Sequence, residues 1–263
     1  MFGLAVVFGL LVIAVFTEQT APHGEAQVVS ASALDPWSAK FPLGTDQLGR
    51  DLLSRLLYGT RNSVFITLVT TLVAVVLGAG LGMLAAVLKG GFDRLLAGMV
   101  DVIISIPQLI FALVLLSISG PSTINMVLII AALDSTRFFR LGRAVTMNIV
   151  ALDFIEAAQL RGEPLWRLLV QEILPNIYAP LLAEFGVRFC FVLLTISGLS
   201  FLGLGVQPPL ADWGSMVREN AILIGYGDVT PLLPAAAIAL LAVSVNFIVD
   251  WQLQIASGLR DDV

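Results

Sequence analysis

The amino-acid sequence predicts an all-α membrane protein built on six spanning helices. Three observations carry this expectation. Hydrophobic residues make up 58% of the 263-residue chain and charged residues only 13%, where soluble domains carry about 25%. The mean hydropathy is +0.95. Apolar runs of near-spanning length recur along the chain, each bounded by polar stretches. A chain this apolar cannot hide its surface around one aqueous core, so the bilayer is its natural solvent.

A spanning helix needs about 20 mostly apolar residues. Met1–Phe16 is the first candidate and is short. Val64–Leu88 is the second. It holds Gly78, Gly80 and Gly82 at mid-membrane, and Gly78 and Gly82 have the GxxxG spacing that lets helix backbones approach closely in lipid. Leu95–Ser119 is the third, interrupted by Pro107, and Pro121–Asn148 contains the fourth, turning polar towards its end. Ile177–Leu204 and Leu232–Trp251 are the fifth and sixth. Proline and glycine are tolerated inside such runs because neighbouring helices re-satisfy the freed backbone groups. Met1–Phe16 has a rival reading as a secretory signal, against which stand the missing basic n-region and small-x-small cleavage site.

Three polar stretches remain: Glu18–Asn62, Val150–Asn176 and Gly205–Pro231. An even number of spans puts both termini on one side together with Val150–Asn176, and the other two stretches opposite. Lys89, Arg94, Arg137, Arg140, Arg143, Arg161, Arg167 and Arg260 fall on the side of the termini; Lys40, Arg50, Arg55, Arg61 and Arg218 fall on the other. The positive-inside rule then makes the termini cytoplasmic.

Composition and motifs set several functions aside. The net charge is −5 with no basic stripe, which argues against nucleic acid. The chain has no G-x-x-x-x-G-K-[ST] phosphate loop, so it is not itself an ATPase by that route. It has no nucleophile elbow and no His-Glu-x-x-His, and His23, alone in a polar loop, is no metal site. Cys190 is the single cysteine and cannot make an intrachain disulfide. No catalytic residue, metal ligand or bound cofactor is expected in this chain.

The most informative stretch is Glu156-Ala-Ala-Gln-Leu-Arg-Gly162, followed by Glu163–Glu172 and then Ile-Leu-Pro175-Asn176. It reads as a helix, a glycine break, a second helix and a proline stop. Gly162 permits a tight turn where a Cβ would clash, and Pro164 suits the first turn of the next helix. Leu165, Trp166, Leu168, Leu169 and Ile173 give that helix an apolar face. Pro175 marks the corner into the fifth span. Such an elbow, lying along the membrane, is a lever another protein can grip.

EAA-x3-G, a spacer and then Leu174-Pro175 resembles the EAA loop of ABC importer permeases. Two further stretches sharpen the resemblance. Phe41-Pro-Leu-Gly-Thr-Asp-Gln-Leu-Gly-Arg-Asp-Leu-Leu-Ser-Arg-Leu-Leu-Tyr-Gly59 and Ser200-Phe-Leu-Gly-Leu-Gly-Val-Gln-Pro-Pro209, continuing to Trp213-Gly214, look like segments of the C-type permease of dipeptide, oligopeptide and nickel importers. The resemblance covers about residues 41–250.

The resemblance implies an ABC type I importer permease, with residues 1–20 as first transmembrane helix, 21–62 as a periplasmic segment, and 63–256 as the permease core with a coupling helix at about 151–175. It implies half of a translocation pore for peptides or similar small solutes in a bacterial cytoplasmic (inner) membrane. The implied partners are a second, related permease subunit, two cytoplasmic ATPase subunits that hold ATP and magnesium, and an extracytoplasmic solute-binding protein. It also implies ATPase coupling through Glu156, Ala157, Ala158, Gly162, Leu174 and Pro175.

The chain departs from its relatives at a few positions. Glu184 and Arg188 stand at i, i+4 spacing where relatives are mostly apolar or amide-bearing. Ionisable groups in a span are costly and point to function by default. Glu184 lies about 13 Å along the helix from Pro175. Two readings stay open: a substrate-pathway pair, or a structural pair at an interface. Thr195, Ile196 and Ser197 stand where relatives often place a carboxylate. Asn246 and Asp250 keep the spacing of an Asn-x-x-Gly-Asp motif with Val249 in place of the glycine, and the Leu259-Arg260-Asp261 tail is displaced. Asp101 reads as structural, and Asp134 and Arg137 are spaced to pair. An exporter would lack the EAA pattern, and a membrane enzyme would need a denser polar cluster than these residues provide.

Overall fold

The computed structural model describes residues 2–256; Met1 and the Leu259-Arg260-Asp261 tail lie outside the described residues. Among the described residues, regular structure is helical, save two isolated bridges, Val28 to Arg50 and Thr45 to Asp51. In chain order the helices are α1 (Phe2–Val15), α2 (Thr17–Thr20), α3 (Leu52–Leu88), α4 (Gly90–Ser105), α5 (Gln108–Ser119), α6 (Thr123–Val150), α7 (Asp153–Leu160), α8 (Leu165–Arg167), α9 (Leu174–Phe201), α10 (Trp213–Asn220) and α11 (Leu232–Ala256). A π-helical turn (Leu168–Ile173) joins α8 to α9, and a 3-10 segment (Ala221–Tyr226) follows α10.

By length and composition, Leu52–Leu88, Leu165–Phe201 and Leu232–Gln254 are able to cross a membrane, and α4 with α5 makes a fourth if that bent pair is one span. The other two expected spans differ from this standard for identifiable reasons. α1 is apolar throughout but has only 14 residues. α6 has 28 residues but carries Asp134, Arg137, Arg140 and Arg143 from near its middle onward.

The expected second span starts twelve positions early, at Leu52 rather than Val64. Asp51 is the reason: its backbone is extended and its carboxylate accepts from the Ser54 N–H at 3.1 Å, which caps the helix there. At 1.5 Å per residue α3 is about 55 Å long, well beyond a hydrocarbon layer of about 30 Å. Its first turns hold Arg55, Thr60, Arg61 and Asn62, which are ill suited to that layer.

The expected third span is not one straight helix. α4 and α5 meet at 92°. Proline disfavours helical backbone in the residue before it, and Ile106 is accordingly extended, at φ −93 and ψ 132.

α3 and α6 form the central pair and run parallel. Gly78 backs onto Ser135 and Phe138, and Gly82 onto Phe139 and Arg143. A side chain at either glycine would overlap backbone of α6, so the two helices touch because these residues are glycine. Parallel neighbours require the chain between them to return along their length. α4 and α5 do this against α6: Asp93 meets Arg143, Asp101 meets Arg140, Gln108 meets Asp134, and Asn125 donates to the carbonyls of Ser119 and Gly120. Arg143 and Asn125 lie about 27 Å apart along α6 at 1.5 Å per residue.

α9 packs against α3, α6 and α11, and α1 packs along α3 and α11. Gly3 of α1 sits on Ser244 and Phe247. Val249, which replaces the family glycine, is 4% exposed and fits against Gly186 of α9. One core cluster joins Ile66, Leu116, Met126, Ile130 and Ile196. A second, at the opposite end of α3, joins Met83, Ile155, Ala158, Ile173 and Ile177.

Candidate functional site

The EAA stretch folds as α7 followed by a sharp turn. α7 ends in a Schellman motif: Gly162 is left-handed at φ +74, its N–H reaches the Gln159 carbonyl at 2.9 Å, and the Glu163 N–H reaches that of Ala158 at 3.3 Å. An Arg161–Glu163 ion pair of 2.8 Å spans the turn. Open space surrounds Gly162, so it is glycine for its backbone and not for packing.

The candidate coupling residues separate into two groups. Ala158 is fully buried and Leu174 is partly buried, both in the cluster that ties the elbow to the ends of α3, α6 and α9. Glu156, Ala157, Gly162 and Pro175 are exposed. Around them Phe154, Leu160, Leu165 and Trp166 are also exposed, Leu160 at 82%. The elbow thus presents an apolar outer face on a well-anchored base.

Two local expectations are corrected. The second elbow helix does not carry one apolar face: Leu168 and Ile173 are buried while Leu165 and Trp166 point outward. Nor does Pro175 make a corner, because Leu165–Phe201 runs as one helix. Pro175 lies just after the π turn, which absorbs the change in hydrogen-bond register that the missing N–H imposes on the continuous helix.

A second polar group lies within the helical body. Arg188 Nε donates to Glu184 Oε1 at 2.5 Å, and Arg188 Nη1 is 4.0 Å from Asp134 Oδ1 on α6. The Arg188 guanidinium also lies over the Phe191 ring at 4.9 Å. Asp134 is fully buried; its Oδ2 accepts from Gln108 Nε2 at 2.7 Å, while its Oδ1 has no hydrogen-bond partner among the described residues. The expected Asp134–Arg137 pair gives way to this junction of α5, α6 and α9. Asp101 instead pairs with Arg140 at 2.5 Å.

The two remaining motif segments interlock on the other end of α3. Arg50 and Arg55 both donate to Glu219 Oε2 at 2.9 Å, and Arg50 Nε donates to Asp46 Oδ2 at 2.6 Å. Glu25 accepts from the Ala211 N–H at 3.0 Å, and Trp213, fully buried, donates through its backbone to Ser63 at 3.2 Å and through its ring to the Leu56 carbonyl at 3.3 Å. Asp212 caps α10 by accepting from Gly214 and Ser215. Burial pushes its carboxyl above the usual carboxylate range, against those hydrogen bonds. His23, expected to be solvated, has Nδ1 3.4 Å from Asp51. Sequence reading missed Glu219; its only signal was that two arginines in one motif need a counter-charge, and that partner stands 164 positions from Arg55.

Comparison with known proteins accords with this architecture. The family described as "Binding-protein-dependent transport system inner membrane component" matches residues 78–257. The chain is 34% identical to the di/tripeptide transport system permease protein DppC of Pseudomonas aeruginosa, over 98% of this chain and 85% of that protein. It is 33% identical to the glutathione transport system permease protein GsiD of Pectobacterium atrosepticum, over 96% and 82%. It is 31% identical to the dipeptide transport system permease protein DppC of Haemophilus influenzae, over 98% and 88%. The motifs, the helical core and the family match together mean that this chain belongs to the binding-protein-dependent transport system inner membrane components, as the permease subunit of an ATP-driven importer.

Proposed function

We propose that this permease imports short peptides or similar small solutes, with its elbow as the point where ATPase motion enters the membrane. Its relatives' names, di/tripeptide, dipeptide and glutathione, support the cargo class. In this reading the chain crosses the bacterial inner membrane six times with both termini cytoplasmic. α1, α3, the broken α4–α5 leg, α6, α9 and α11 are the spans. The parallel run of α3 and α6 supports a crossing by α4–α5 between them. Residues 21–62 and the α10 region face outward, towards a solute-binding protein. A related permease completes the pore, and two ATPase subunits supply ATP and magnesium.

The observation that carries the coupling role is the division of the elbow into a buried anchor at Ala158 and an exposed apolar face at Ala157 and Leu160. An ATPase gripping that face moves the ends of α3, α6 and α9 together. Glu156, Ala157, Gly162 and Pro175 then form or shape the contact, and Ala158 and Leu174 seat it. Cross-linking in native membranes tests this, with Cys190→Ser as background and Ala157→Cys as the probe. Mass spectrometry should identify an ATPase subunit, with a second permease and a binding protein co-purifying. Clean capture of no ATPase by a folded, abundant subunit would end the coupling assignment.

A further inference from the structure

The junction of Glu184, Arg188 and Asp134 has an uneven geometry. α9 leaves one stripe uncovered by the other described residues: Glu184 and Arg188 are partly exposed there, Phe191 is 53% exposed, and Thr195 continues the line. A stripe with an acid, a guanidinium and a hydroxyl is badly suited to lipid. It belongs against water or against another subunit. Behind it stands Asp134, fully buried, with Oδ1 unpartnered and directed at Arg188 from 4.0 Å. Gln108, two residues beyond the backbone break at Ile106, fixes the other carboxylate oxygen.

The guanidinium is therefore held from its own helix and from α6, yet its hydrogen bonding within the described chain uses Nε alone. The Nη1 and Nη2 groups are two parallel donors of the kind that grip a carboxylate in bidentate fashion. Resting on this peptide-importer reading, we infer that Arg188 is a cargo subsite for the carboxylate of a zwitterionic solute. Asp134 is a positioning residue, too buried to touch cargo. It holds the guanidinium at the junction of α6 and α9, behind the open stripe. Glu184, with its side chain 25% exposed, is an internal competitor that occupies Arg188 between cargo molecules. Cargo of one negative and one positive end suits the site: its carboxylate takes Arg188, and its ammonium meets the released Glu184.

The test uses the whole transport complex in proteoliposomes. On a Cys190→Ser background, Arg188→Cys is treated with the anionic thiosulfonate MTSES through the ATP cycle, and Phe8→Cys on the wholly apolar α1 is the lipid-facing reference. Labelling at position 188 at least 10-fold faster than at position 8 is expected; equal, slow labelling in every nucleotide state overturns the subsite. Uptake of dialanine is then compared with uptake of its C-terminal amide. Comparing each variant's ratio with that of the unsubstituted complex cancels the binding protein's own preference. Arg188→Gln and Asp134→Asn should lower the dialanine preference at least 5-fold and about 2-fold, while Glu184→Gln, which frees Arg188, should not lower it. A ratio unchanged by Arg188→Gln at equal subunit abundance overturns the carboxylate role. If the unsubstituted complex takes up neither probe, the peptide reading fails, and the labelling still decides whether Arg188 faces the pathway.

Discussion

At the scale of single residues, the decisive positions are those where a small side chain or a lone charge has no substitute. Gly78 and Gly80 are two residues apart, yet a Cβ on Gly78 would overlap the Ser135 carbonyl while nothing lies within 4 Å of one on Gly80. Gly78→Ala should therefore lower stability by about 1–3 kcal/mol through overpacking. Gly80→Ala should leave it unchanged or raise it by up to about 1 kcal/mol through helix propensity. Unfolding midpoints in mixed detergent micelles distinguish the two. Glu219 is the lone charge. It is the shared acceptor of Arg50 and Arg55, whose side chains are 8% and 1% exposed. Glu219→Gln leaves the two guanidinium groups with Asp46 as their remaining ion-pair partner among the described residues, and should cost roughly 3 kcal/mol, at the lower end for a buried pair because Glu219 retains some exposure. Limited proteolysis should then cut within residues 22–50 more quickly, whereas an unchanged digestion pattern would mean that Asp46 alone suffices.

At the scale of elements, the elbow is a cantilever. Its base is the cluster around Ile155, Ala158, Leu168 and Ile173, and its outer face is exposed and apolar. Two adjacent alanines of the EAA motif therefore have different duties. Ala157→Arg should preserve subunit abundance and detergent stability while reducing co-purified ATPase at least 10-fold. Ala158→Leu has no space to occupy and should reduce the abundance of the subunit itself. Immunoblots of membranes, together with pull-downs, separate these outcomes, and the reverse pattern would invert the proposed docking face. α3 has a related duty at larger reach. One helix of about 55 Å carries Arg55 in the Glu219 network and Met83 in the elbow cluster, and in the proposed reading it links the two ends.

At the scale of the whole molecule, the parallel α3–α6 pair dictates the topology. The broken leg between them runs back along α6 despite its 92° bend, and in the proposed six-span reading it returns from one membrane face to the other. On a Cys190→Ser background, Gly91→Cys should be labelled by an impermeant thiol reagent only from the cytoplasmic face, and Pro121→Cys only from the outer face. Labelling of both from one side would make α4–α5 a re-entrant loop, and α6 would then need a different orientation. The bend also serves packing. It lets α4 lie across the charged end of α6, where Asp93 and Asp101 meet Arg143 and Arg140, before α5 turns along the apolar half beside Ile130 and Met126.

What the sequence determined by itself was whatever is encoded locally. Apolar runs announced the helices, the spacing of Gly78 and Gly82 announced a close helix contact, and Glu156–Gly162 announced an elbow, because a helix end, a left-handed turn and a membrane segment are each written within a few turns of chain. The tertiary structure alone decided which partners distant residues would find. Arg55 meets Glu219, Asp134 meets Gln108 and Arg188 in place of Arg137, and Ala158 is buried where Ala157 is not. Pro175 joins a continuous helix instead of ending one, since a π turn upstream had already accommodated it. These outcomes depend on which helix faces meet, and that is settled by the mutual packing of all the helices, a condition that no single stretch of sequence contains.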